Sequence, residues 1–326
     1  MLTIFDIISN ILTVTILLII GLEAWGVFKP SLRSRLFYFV VRYGYKPLTH
    51  RLPLAKRKAR IELLRYLVPR NITTSLIQVG DIPAEWVSPL FTSDEYILLY
   101  LHGGGYTSGS PALHRDLVHR IARAGGMTAL SIAYRLAPEH PFPAALEDAL
   151  FAYRWLLQQG YPPEKIALAG DSAGGGLCAA LLLTLRDTGE PLPAAAALLS
   201  PWTDLTMSTE SDQELEARDA QLTKRGLLEM ADAYRGTHAA DEPLISPLFA
   251  ELHGLPPLLI LAGTDEMLLD DSVLFADKAG EAGVEVTLQI RENMGHVYPA
   301  FAMIIPEGRQ AIRFIGAFIR RHTGNE

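Results

Sequence analysis

At 326 residues, 49% of them hydrophobic, the chain is long enough for one large core or two modest ones. Its one cysteine, Cys178, excludes an internal disulfide, and no Cys/His cluster has zinc-ligand spacing, so no metal centre is expected. The net charge of −7 is unevenly placed: residues 29–70 hold twelve Lys or Arg against the single acid Glu62, a local excess of +11.

In chain order, the first feature is residues 7–22, IISNILTVTILLIIGL, which carry no charge. From 11 to 22 the run is apolar on every side of a helix, which fits a buried or membrane helix better than an amphipathic surface one. Sixteen residues at about 1.5 Å each reach roughly 24 Å, short of a hydrocarbon core of about 30 Å. Trp25, Val27 and Phe28 lengthen the run and put aromatics at the interface. A cleaved signal peptide fits poorly, with no basic stretch before the run and no small-residue cleavage site after it. Residues 1–28 are therefore expected to be a membrane anchor. The basic stretch that follows, 29–75, is expected to contact anionic headgroups on the cytoplasmic side. The alternative is a cytoplasmic soluble protein in which this helix packs over a substrate pocket. No nucleic-acid-binding motif accompanies the charge, so nucleic acid is not an expected partner.

From residue 76 to 326 short apolar runs alternate with helical patterns. Strands are expected at 76–80, 83–88, 96–101, 127–133, 166–169, 194–199, 257–262 and 284–290. Helices are expected at 111–125, 144–159, 173–187, 270–282 and 307–321. This order predicts an α/β fold, a mostly parallel sheet with helices on both faces. An insertion at about 203–255 has no strand but a helical pattern at 220–236, where a lid over the sheet edge would sit.

The stretch IALAGDSAGGGLCAALLL places Gly170-Asp171-Ser172-Ala173-Gly174 between a strand and a helix. The pattern is G-x-S-x-G, in which small flanking residues permit a strained turn that lifts the serine hydroxyl clear of the sheet. A phosphate-binding glycine turn is the competing reading, but the P-loop lysine and the dinucleotide spacing are both missing. Serine needs a base, and the base needs an acid to orient it, in the chain order Ser, acid, His. Of the histidines after Ser172, His296 in RENMGHVYPAF follows the last strand by a few residues, with Gly295 giving turn freedom. The stretch LLILAGTDEMLLDD offers four acids: Asp265, Glu266, Asp270 and Asp271. Asp270 and Asp271 suit helix capping. Asp265, just past the strand end, is the expected partner of His296.

A tetrahedral oxyanion needs N–H donors fixed in advance. The stretch LYLHGGGYTSGS ends a strand in Gly103, Gly104 and Gly105, whose amides no Cβ obstructs. With the amide of Ala173 after the nucleophile they form the expected oxyanion hole, and His102 is expected to brace the loop rather than act as a base.

HGGGY, YRLAPEHPFPAALED, GDSAGGGL, SPWTDLT, GTDEMLLDD and GHVYPAF together resemble the hormone-sensitive lipase family of esterases, its GDSAG branch. The resemblance runs from about 71 to 322. It implies the α/β-hydrolase fold, a helical cap built from the N-terminal region plus the insertion, and no cofactor. Carried onto matching positions, it implies Ser172, Asp265 and His296 as a triad and Gly104, Gly105 and Ala173 as oxyanion donors. DEML stands where the family more usually has a DPL-type sequence. The expected function is a serine carboxylesterase acting on short- to medium-chain acyl esters through an acyl-enzyme. Alternatives are a lactone or amide hydrolase with the same triad and a catalytically silent small-molecule receptor. The sequence leaves self-association into a homo-oligomer open.

Overall fold

Strands buried on both faces have no polar side to show, which is why 96–101, 127–132, 166–169 and 258–262 read as almost unbroken apolar runs. In the computed structural model of the protein, which describes residues 30–49, 52–63, 72–209 and 212–325, these runs form one sheet. Its strands are β1 (Thr74–Val79), β2 (Ile82–Val87), β3 (Ser93–Leu101), β4 (Met127–Ile132), β5 (Ile166–Asp171), β6 (Ala195–Leu199), β7 (Leu258–Gly263) and β8 (Val286–Arg291). Their order across the sheet is β1-β2-β4-β3-β5-β6-β7-β8. β1 and β2 form an antiparallel hairpin, β2 runs antiparallel to β4, and every pairing from β4 to β8 is parallel. The eight expected strands lie within a few residues of these bounds.

Alternation along the central strands feeds two cores rather than one core and solvent. Ile97, Leu99 and Leu101 of β3 enter one face with Leu168, Leu198 and Ile260. Leu98 and Tyr100 enter the other with Ala167, Leu199 and Leu261. The edge strands differ: β1 is largely exposed, with only Val79 buried, and all six residues of β8 are half-buried.

Helices cover both faces. In chain order the described α-helices of seven residues or more are α1 (Leu32–Val40), α2 (Leu54–Leu63), α3 (Pro111–Gly125), α4 (Ala144–Gln158), α5 (Ala173–Asp187), α6 (Asp212–Arg218), α7 (Lys224–Arg235), α8 (Leu269–Glu281) and α9 (Pro306–Thr323). α3 starts where the Ser110 hydroxyl accepts the Leu113 amide and stops at Gly126, whose φ of 68° no β-carbon opposes. α5 is buried over most of its length because its glycines let it lie directly on the sheet.

The basic N-terminal stretch and the insertion between β6 and β7 meet each other. Arg57 of α2 pairs with Glu229 of α7 at 2.9 Å, and the Lys46 Nζ, just past α1, donates to the Asp219 carbonyl at 2.7 Å. Both also reach the loops after the strands' carboxyl ends. Tyr234 of α7 stacks on Tyr106, after β3, with ring centroids 3.7 Å apart. Residues 1–28, with the expected anchor, lie outside the described residues. Among the described residues no helix is long and apolar enough to cross a membrane.

Candidate active site

β5 ends at Asp171 and α5 begins at Ala173, leaving Ser172 alone in the turn with φ 54° and ψ −122°. A non-glycine residue there costs on the order of 1–3 kcal/mol, and persists only if its surroundings hold it. They do: the Ser172 amide donates to Leu199 O at 2.8 Å, and its carbonyl accepts the amides of Gly175, Gly176 and Trp202 at 2.9–3.1 Å. The flanking glycines are required by contact. A β-carbon on Gly170 would strike the Gly174 carbonyl, and one on Gly174 would strike the Leu101 carbonyl. The turn thus packs backbone to backbone against the end of β3.

The loop after β3 is organised by Asp171. Its Oδ1 accepts the Tyr100 hydroxyl at 2.6 Å and the Gly103 amide at 2.9 Å, while Oδ2 faces His114 Nε2 at 3.4 Å. Burial alone would raise the Asp171 pKa; the charge and hydrogen bond of His114, with those from Tyr100 and Gly103, instead hold it down at about 2. Gly103 was expected among the oxyanion donors, and this geometry corrects that: its N–H is already taken by Asp171. The Gly104 carbonyl accepts Thr107 N, Ser108 N and Ser108 Oγ, which turns the loop back on itself. Gly104 and Gly105 have φ of 123° and 62°. Their amides and that of Ala173 are donors in none of the turn and loop hydrogen bonds of the described residues.

His102 is buried, its Nδ1 is 2.9 Å from the Gly103 carbonyl, and its ring stacks on Tyr134 at 4.2 Å. Burial, followed by the neighbouring His114, pushes its pKa down to about 3. A ring held neutral and stacked on both Tyr134 and His114 braces the loop.

His296 lies after β8, and its Nδ1 is 2.9 Å from Glu266 Oε2. The acid that meets His296 is thus Glu266, not the expected Asp265. Asp265 points away to Arg218 of α6, at 2.8 Å, with the two side chains 32% and 42% exposed. The Asp265 amide donates to Met294 O, which fixes the backbone of this turn so that consecutive side chains diverge. Glu266 turns inward, where its Oε1 also accepts Gly263 N at 2.9 Å and Ser200 Oγ at 3.0 Å. Asp271 is absorbed in a structural bond to the Thr203 and Asp204 amides, both at 2.7 Å.

One segment joins Ser172 and His296. Ser172 bonds to Leu199 and Trp202, and between them the Ser200 Oγ accepts the Val297 amide at 3.0 Å. Burial works to lower the His296 pKa; the hydrogen bond and charge of Glu266, with the charges of Asp219 and Asp171, outweigh it and raise the pKa above 6.5. Asp219 is buried and accepts Gln221 N, Leu222 N and Met267 N, while Gln221 Nε2 donates to the His296 carbonyl at 2.7 Å. Sequence reading offered Glu266 among four acids but preferred Asp265, and it missed Asp219, Gln221 and Ser200. Only Glu266 left a signal, as it occupies the proline position of the DPL-type sequence. Among the described residues no group of His, Cys, Asp or Glu side chains could hold a metal ion.

A serine on a strained strand–helix turn and a carboxylate-held histidine, both at the carboxyl ends of a mostly parallel sheet, define a hydrolase of the α/β type. Residues 98–300 match the family described as alpha/beta hydrolase fold. An acetyl-hydrolase of Streptomyces hygroscopicus is 47% identical over 249 residues, 76% of this chain and 83% of that protein. A crystal structure of an esterase from the bacterial hormone-sensitive lipase family superposes with a TM-score of 0.86 at 43% identity, covering 91% of this chain and 100% of the other. EstE5, in crystals soaked with p-nitrophenyl butyrate, gives 0.86 at 42%, covering 90% and 99%. The chain belongs to the hormone-sensitive lipase family of α/β-hydrolase esterases.

Proposed function

We propose that the protein is a serine carboxylesterase that hydrolyses short- to medium-chain acyl esters through an acyl-enzyme. Ser172 Oγ attacks the ester carbonyl as His296 Nε2 takes its proton, and Glu266 holds Nδ1–H so that the other ring nitrogen is the free acceptor. The amides of Gly104, Gly105 and Ala173 stabilise the oxyanion. The tetrahedral intermediate collapses to Ser172 acyl ester and alcohol, the alcohol taking the proton from His296. Water then repeats the sequence and releases the acid. The observation that carries this reading is the buried 2.9 Å contact of His296 Nδ1 with Glu266, tied through Ser200 to the segment that holds Ser172.

In this reading the N-terminal helices and the insertion form a cap. Ser172 and His296 are only 8% and 6% exposed, so the substrate enters beneath cap side chains. Met230 of α7 is one of them, because a β-carbon on Gly105 would strike its sulfur. On sequence alone, residues 1–28 are assigned as a membrane anchor with the catalytic part on the cytoplasmic side.

The test is turnover across p-nitrophenyl esters from acetate to decanoate, set beside lactone and anilide substrates. A maximum among the short and medium esters supports the reading. Turnover confined to lactones or amides would replace it.

A further inference from the structure

α1 is inside out. Its protein-facing side is partly polar: the Ser31 and Ser34 hydroxyls donate to Glu307 of α9 at 3.0 and 2.6 Å, and Ser34 is fully buried. Phe37 packs on Phe301 with ring centroids 4.5 Å apart. The opposite side carries Leu36, Phe39, Val40 and, on the π-turn that continues the helix, Tyr43, which are 66%, 60%, 57% and 64% exposed. Their spacing of i, i+3, i+4 and i+7 makes one helical stripe, and the Phe39 and Tyr43 rings touch at 4.8 Å. A contiguous apolar patch of this kind marks a surface that something covers. Arg33 and Arg35 are exposed alongside it.

We propose that this face of α1 is a lipid-docking surface, which seats the catalytic part on an anionic bilayer. Charge and chain continuity both favour this occupant. The stripe lies within the stretch 29–70, whose local excess is +11, on a chain of net charge −7. Residues 7–22 are an uncharged apolar run ending ten residues before Leu32, and ten residues extend at most about 33–36 Å. A helix with apolar side chains flanked by arginine lies in the interface plane with its apolar face among the acyl chains. The same helix leans on the site: a side chain at Gly295, the residue before His296, would strike the Tyr38 ring. Docking through α1 therefore turns the active-site side of the molecule toward the membrane and toward esters dissolved in it. The proposal rests on the anchor assignment for delivery to the bilayer, but not for the contact itself.

Cys178 is fully buried, so a fluorophore attaches only at an introduced cysteine. Full-length Phe39→Cys is made in a cell-free system with and without vesicles of phosphatidylcholine and phosphatidylglycerol, then labelled with bimane. Phe91→Cys is the control, because Phe91 is 99% exposed and precedes β3, at the opposite end of the parallel strands. The expected result is a blue shift at position 39 that needs vesicles and is quenched by doxyl lipids, with position 91 remaining in water. Leu36→Glu/Val40→Glu should then lose at least tenfold in turnover of a vesicle-borne ester while keeping its turnover of p-nitrophenyl acetate. If the protein floats with vesicles but position 39 stays in water, or position 91 inserts instead, the docking surface is wrong and the anchor stands. An apolar signal at 39 without vesicles means that residues 1–28 or a second copy covers the stripe, which also overturns the proposal. If the protein does not float, the anchor and the docking surface fall together, and the p-nitrophenyl assays still judge the esterase reading.

Discussion

Replacing Glu266 by Gln and, separately, Asp265 by Asn distinguishes two adjacent acids. Glu266 has no exposed surface and accepts three hydrogen bonds, from His296 Nδ1, Ser200 Oγ and Gly263 N. Glutamine keeps the shape, and its carbonyl oxygen still serves Ser200 and Gly263. The amide –NH2 then faces Nδ1 and is a donor. The imidazole must answer with a lone pair there and carry its proton on Nε2, the atom needed to accept from Ser172. A wrong tautomer of this kind costs on the order of 10⁴ in kcat, which is about 5.4 kcal/mol of transition-state stabilisation. Asp265 is a third exposed and pairs with the more exposed Arg218, an interaction worth about 0–1 kcal/mol. Asp265→Asn should therefore keep kcat within roughly fivefold, given that 1.36 kcal/mol is tenfold. The assay is kcat on p-nitrophenyl butyrate, with melting curves to establish that both variants fold. Near-normal turnover in Glu266→Gln, with a collapse in Asp265→Asn, would refute the reasoning.

The acid limb of the activity profile should have its midpoint above the ordinary histidine value, because His296 must be neutral to act and, against burial, which lowers its pKa, Glu266, Asp219 and Asp171 raise it; Asp219→Asn should move that limb to lower pH, and a midpoint below the ordinary histidine value on folded protein would contradict the assignment. Asp171→Ala should lower the melting temperature, since it strands the buried Tyr100 hydroxyl and Gly103 amide at about 1–3 kcal/mol each. The Asp171 pKa is held below its ordinary 3.8, at about 2, so its stabilisation is full above that ordinary value and is lost as pH falls through 2, which acid titration of wild type against Asp171→Asn would check. Met230→Ala should shift preference to longer acyl chains and Met230→Trp to shorter ones, each methylene being worth about 0.8 kcal/mol, or roughly fourfold in kcat/KM; an unchanged chain-length profile would remove Met230 from the substrate path.

The strands were legible as short apolar runs bounded by turn residues and the helices by their 3.6-residue period, both local signals, and the serine turn as a contiguous G-x-S-x-G between a strand and a helix. The acid that meets His296 was not. Asp265 and Glu266 differ in sequence by one step, but they lie in the turn after β7, where one step redirects the side chain. What selects between them is the bond from Asp265 N to Met294 O, twenty-nine residues away. The glycine loop after β3 was legible as bare backbone, yet only the fold shows that Asp171 takes the Gly103 amide. Asp219 and Gln221 sit in an insertion with no motif and reach His296 across seventy-five residues in the case of Gln221. No local pattern records such a meeting.

The central claim is that Ser172 carries the acyl group. Rapid quenching during p-nitrophenyl butyrate turnover, followed by peptide mass analysis, tests it most directly. The account predicts a butyryl adduct on the peptide containing Ser172, absent in Ser172→Ala and absent within the same time in His296→Ala. An adduct elsewhere, or steady turnover by Ser172→Ala, would contradict it.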